Sequence, residues 1–178
     1  MRRLLALLIV ALIVTAGAVR GEPATVRLDL ALIAEIAGLV PLRGAAPTPD
    51  RLAGKIVVVS FFASWCPPCH TEFRHLAAIG ARYRGADVEI VAINLFEDFG
   101  GLSSPVKLER FLDKYDPTYS VLSGTDATAR AFGGVRRIPT LYVFDRAGHP
   151  AFGFVHEIGA TKTNVGAREL AAVIDALL

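Results

Sequence analysis

A continuous apolar run from Ile56 to Phe62, followed almost at once by Trp65-Cys66-Pro67-Pro68-Cys69, sets the terms for what this chain can build. A nearly all-apolar run rich in β-branched residues suits a strand buried on both faces. Beyond it Cys69, Phe73, Leu76, Ala77, Gly80 and Tyr83 recur at helical spacing. The chain therefore passes from a central strand into an amphipathic helix, with the cysteine pair at the junction. Pro67 and Pro68 fit the first helical turn, where a missing N–H breaks no helical bond. Cys66 then sits where unpaired N–H groups and the helix dipole favour an anion, which lowers a thiol pKa. Cys69, three residues on, is within disulfide reach. A bridge over two residues closes too short a loop to stabilise much through chain entropy, so the spacing points to chemistry. In that chemistry Cys66 attacks a disulfide, a mixed disulfide forms, and Cys69 resolves it.

The remaining elements set the fold class. Val88 to Ile93 is a second β-branched run after the turn Gly85-Ala86-Asp87. Ser104 and Pro105 open a helix with Leu108, Phe111, Leu112 and Tyr115 on one stripe. A short helical turn spans Asp126 to Phe132, and Thr140 to Phe144 reads as a third strand. Asp145 to Gly148 turns into a fourth strand, Ala151 to Val155, and a closing helix turns Leu170, Val173, Ile174 and Leu177 inward. This order predicts an α/β fold: a mixed sheet of four to five strands with helices on both faces. Between Ala24 and Pro49 strand-like and helical spacings overlap, and four helix breakers follow, so this stretch is read as an extension.

The N-terminus carries Arg2 and Arg3, an apolar run from Leu4 to Val14, and Ala16-Gly17-Ala18. That is a secretory signal pattern. Extended to Val19 it still falls short of the roughly 20 residues that cross a bilayer, which leaves a short anchor as the other reading. The expected organisation is a signal or anchor over 1–18, a linker and extension over 19–49, and the main domain over 50–178. The domain is then periplasmic or otherwise extracytoplasmic, and touches membrane only through the N-terminal segment. Without Arg2 and Arg3 the basic and acidic residues balance, so no electrostatic footprint for nucleic acid exists. Two cysteines cannot complete a zinc site without His70 and His75, and His70 is expected to face solvent. No metal or cofactor is expected.

The stretch Gly54-Lys55, Val57-Val58-Val59 and Phe61 to Cys69 resembles the active-site segment of thioredoxin-like proteins. It is most similar to the exported reducing branch, which includes the cytochrome c maturation thioredoxins, and the likeness runs from about Asp50 to the C-terminus. The resemblance implies a thioredoxin-like fold and reduction of disulfides in exported proteins, with a membrane electron-relay protein as reductant. It implies that Trp65, Pro67, Pro68, Ile138 and Pro139 meet the substrate, with a cis bond before Pro139 and Ile138 offering its backbone. Where thioredoxins proper carry a buried Asp this chain has Ser60, and the branch's own acid maps to Glu97, the candidate base for Cys69, with Asp98 behind it. The family's helix-kinking proline is replaced by Arg74, and the loop from Phe99 to Ser104 is long. A disulfide oxidant or isomerase is the alternative on the same fold. A non-catalytic metal-binding chaperone is the alternative of another class, disfavoured by one Met and four scattered His. A peroxidase would need a Thr before its cysteine, which Ala63-Ser64-Trp65 does not supply.

Overall fold

The computed structural model describes residues 26–101 and 104–178; the export segment 1–18 and most of the linker after it lie outside them, as do two residues of the long loop. The chain order is α1 (Leu30–Ala37), β1 (Val40–Arg43), α2 (Pro49–Leu52), β2 (Ile56–Phe62), α3 (Pro67–Arg82), β3 (Val88–Asn94), α4 (Pro105–Tyr115), β4 (Ser120–Ser123), α5 (Asp126–Ala131), β5 (Thr140–Phe144), β6 (Pro150–Val155) and α6 (Ala167–Asp175). The strands form one sheet in the order β1-β4-β3-β2-β5-β6. β4, β3 and β2 run parallel, and β1 and β5 join antiparallel at the two sides.

Every residue of β2 is buried, as its continuous apolar run requires. Alternation along it sends neighbouring rings to opposite faces. Phe62 packs on Phe73 of α3 at 4.5 Å and on Phe111 of α4 at 5.3 Å. Phe61 points the other way, edge-on to Phe132 at 4.8 Å. The core is thus two layers of aromatic and branched side chains separated by the sheet.

Among the described residues the sheet has six strands, two more than the four runs read from the sequence. β4 is only Ser-Val-Leu-Ser, too short and too polar at its ends to stand out. β1 contains Pro41, which an edge strand tolerates because one row of its N–H groups meets no partner. The stretch read as an extension is therefore folded onto the domain. Asp29 caps α1 by accepting from Leu32 N at 2.9 Å, and Leu28, Leu32, Ile33 and Ile36 enter the core. Leu28 N donates to Gly148 O at 2.9 Å. Gly148 has φ +77°, and a side chain there would run into the Leu28 carbonyl, so this approach demands glycine. α3 runs unbroken for 16 residues through Arg74.

Candidate active site

The site stands where β2 ends and α3 begins. Cys66 is the N-cap of α3, with Pro67 and Pro68 in its first turn. Cys66 and Cys69 are joined as a disulfide with Cα atoms 5.3 Å apart. Cys66 keeps 3% of its surface exposed and Cys69 none. Pairing of Phe61 with Thr140 brings the start of β5 beside this junction. The Ile138–Pro139 bond is cis. A groove of about 460 Å³ runs past Cys66, walled by Trp65, Pro67 and Pro68 on one side and Ile138 on the other.

The segment before Cys66 is held from three directions through Ser64. Its N–H donates to Glu97 Oε2 at 2.9 Å and its hydroxyl donates to Glu97 Oε1. Asn94 Nδ2 adds a bond to Glu97 Oε2 at 2.7 Å. On the far side His70 Nε2 lies 3.0 Å from the Ser64 carbonyl, and its Nδ1 lies 2.9 Å from the Tyr115 hydroxyl. A carbonyl can only accept, so Nε2 carries the proton and neutral Nδ1 accepts from Tyr115. Burial lowers the His70 pKa and favours that neutral form. His70 is thus turned inward, against the expectation that it faces solvent: its ring meets Phe111 edge-on at 4.8 Å, an apolar contact that solvent exposure would forfeit. Trp65 is fixed by its Nε1 donating to Phe96 O at 2.9 Å. Asp98 lies exposed on the adjoining loop, and His75 spends Nδ1 on the Val165 carbonyl at 2.8 Å.

One acid was missed in the sequence. Glu72 is 1% exposed, and the Ser60 hydroxyl donates to its Oε1 at 2.5 Å. Its Oε2 is buried with no close hydrogen-bond partner among the described residues. Burial pushes its pKa up to about 7, against the opposing pull of the Ser60 hydroxyl and the Val165 backbone. Glu72 follows Cys69 by three residues, so the two share one face of α3. The signal was available: a carboxylate on the same buried stripe as Phe73 and Leu76. Ser60, which cannot itself take a proton, is the residue that brings a carboxyl to its own position from the neighbouring helix.

Comparison with known proteins agrees with this geometry. The AhpC/TSA family matches residues 44–149. The thiol-disulfide oxidoreductase ResA of Halalkalibacterium halodurans is 28% identical over 127 residues, 71% of this chain and 68% of that one. ResA of Oceanobacillus iheyensis is 31% identical over 91 residues, 51% of this chain and 44% of its own. Against ResA of Bacillus subtilis the chain likewise spans about half the relative's length. Among solved structures, a DsbF homologue from Corynebacterium diphtheriae has a TM-score of 0.62 at 28% identity, covering 77% of this chain and 81% of that one. A thioredoxin family protein from Chlorobium tepidum shares the fold with a TM-score of 0.64 at 24% identity, covering 78% and 90%. A match that runs from before α2 to the turn after β5, on a thioredoxin-like sheet, makes this chain a member of the AhpC/TSA family.

Proposed function

We propose that the protein is a thiol–disulfide oxidoreductase that reduces disulfides in exported proteins through Cys66 and Cys69. The observation that carries this is the placement of Cys66 at the head of α3, beside an open groove, with Cys69 sealed behind it. The thiolate of reduced Cys66 attacks one sulfur of the substrate disulfide. That S–S bond breaks, the first substrate thiolate leaves and takes a proton from solvent, and a mixed disulfide remains. Cys69 gives up its proton, attacks Cys66 Sγ and releases the second substrate thiolate. The substrate gains two electrons and the protein is left with the Cys66–Cys69 disulfide found here.

For the Cys69 proton we place Glu72 ahead of Glu97. Glu72 has an oxygen with no close partner among the described residues, a pKa near neutrality and a seat on the same helical face as Cys69. The oxygens of Glu97 already accept from Ser64 and Asn94, which suits a group that positions the loop before Cys66. Trp65, Pro67, Pro68 and Ile138 line the groove, and with Pro139, buried next to Ile138 in the chain, they are assigned to substrate contact.

The ResA names of the relatives and the resemblance to cytochrome c maturation thioredoxins support an extracytoplasmic reductant, exported by residues 1–18 and recharged by a membrane electron-relay protein, with apocytochromes among its substrates. The test is a trap. Cys69→Ser should accumulate a covalent adduct with a disulfide-bearing substrate, seen by mass spectrometry, while Cys66→Ser accumulates none. An adduct on Cys69 in the Cys66→Ser protein would overturn the assignment. A reduction potential well above that of the exported substrates would favour the oxidant reading instead.

A further inference from the structure

Of the large apolar side chains that stand exposed on this molecule, two border the groove at Cys66. Phe99 is 64% exposed and stacks on Trp65 at 5.6 Å, and Ile158 is 86% exposed on the loop after β6. They come from different loops and meet only at this groove. Phe96, held at φ 60° while its carbonyl accepts from Trp65, shapes the same wall. One cation joins them. Arg137 is paired with Glu157, but the Arg136 side chain, also in the groove, has no ion-pair partner among the described residues.

The backbone beside Cys66 is partly spoken for. The Pro139 carbonyl accepts from His156 N at 3.0 Å, and the Ile138 carbonyl accepts from His156 Nδ1 at 3.3 Å. Two carbonyls on the wall opposite the cysteines thus already hold one donor each, and the side chains along the groove carry the discrimination between partners.

We infer that this groove selects a partner polypeptide whose reactive cysteine is flanked by a large apolar residue, held between Phe99 and Ile158, and by an acidic residue paired with Arg136. The inference rests on the oxidoreductase reading and adds to it a substrate sequence class. An exposed apolar pair beside the reacting sulfur gains by covering, since each ring or branch removed from water contributes in proportion to its area. A cation at the rim acts mainly on encounter, so its share of the preference fades with salt.

The experiment uses the reduced full-length protein and four short peptides, each with one cysteine blocked as a neutral 2-hydroxyethyl mixed disulfide. The residues flanking that cysteine are Leu or Ser on one side and Asp or Lys on the other. The expected result is a kcat/KM about tenfold higher for Leu over Ser, the size of discrimination an apolar pocket gives. A preference for Asp over Lys should be present at low salt and shrink in high salt. In Phe99→Ala/Ile158→Ser the Leu:Ser ratio should fall towards one, and in Arg136→Glu the Asp:Lys ratio should invert. Ratios within one variant are insensitive to a general loss of activity, and both apolar positions are exposed, so the fold tolerates their change. Equal rates on all four peptides, or ratios that survive in the variants, would overturn the inference and leave the oxidoreductase reading standing. Failure of the wild-type protein to reduce any of them would remove that reading as well.

Discussion

The two sides of the Cys66–Cys69 disulfide carry one carboxylate each, and these are built in opposite ways. On the inner side Glu72 is sealed under α3 with one close donor, the Ser60 hydroxyl, a weaker pull from the Val165 backbone, and an oxygen that no group makes a close hydrogen bond to among the described residues. On the outer side Glu97 is gripped by the Ser64 N–H, the Ser64 hydroxyl and the Asn94 amide. An under-solvated acid holds its charge at a cost and readily exchanges a proton near neutral pH. One whose oxygens already accept from three donors serves as a fixed anchor. Proximity to a catalytic sulfur therefore says less about a carboxylate's task than the number of donors it already has.

The comparison is sharpest in resolution kinetics. Glu72→Gln should leave attack by Cys66 intact and slow resolution by about 10²–10⁴-fold, the usual reach of a general base, so that mixed disulfide accumulates in rapid-quench experiments. The same defect in Glu97→Gln, with Glu72→Gln normal, would invert the assignment of roles.

A second contrast is in stability against pH. An acid whose pKa is higher folded than unfolded keeps its proton in the native state after the unfolded chain has lost it. Its contribution is therefore full below about 4.5 and declines as pH rises towards about 7. At about 1.4 kcal/mol for each pH unit, Glu72 should account for roughly 3 kcal/mol lost over that interval. Urea titrations of the oxidised protein at several pH values should show this fall in the wild type and a flatter profile in Glu72→Gln. An unchanged slope would mean Glu72 is not titrating in the native state.

Glu97→Gln should behave as loss of an anchor. It removes an acceptor from buried donors and costs about 1–3 kcal/mol, measurable in the same titrations. The smallest effect is expected at His70. Its lowered pKa means the fold favours neutral imidazole, so this group's contribution is kept above the unfolded value of 6.5 and lost on acidification below it. His70→Gln, which retains a donor for the Ser64 carbonyl, should remove that acid-side loss while preserving most activity. A steeper acid loss in the Gln variant would show that His70 is not the group responsible.

The parts of this molecule legible in the sequence were those with strong local signals. The β2 run, the Cys pair at a helix head and the Ser104-Pro105 start of α4 each carry their instruction within a few residues, and Ser104 does accept from Lys107 N at 3.1 Å. β1 and β4 were illegible because each is four residues long and takes its place only from distant partners, β1 from β4 through pairs such as Val40 with Ser123 and β4 also from β3. Glu72 was hidden for a different reason. Its neighbours announce an amphipathic helix, and a single charge on the apolar stripe is easily taken for a boundary residue until Ser60 is seen to meet it. His70 was misread because its partners, Ser64 and Tyr115, lie 6 and 45 residues away, and only the fold supplies them.

The docking of the N-terminal stretch onto the far end of the chain has a consequence for how the protein is made. Among the described residues β1 finds its only strand partner in β4, and Arg27 reaches the Ala147 carbonyl 120 residues later. Chains are synthesised at about 5–20 residues per second, so β1 waits on the order of ten seconds before β4 exists to receive it. Throughout that interval its backbone is an open template for any passing strand. The first strand to be translated is among the last to be zipped into place, so an intact α1–β1 latch certifies that the rest of the sheet is already assembled.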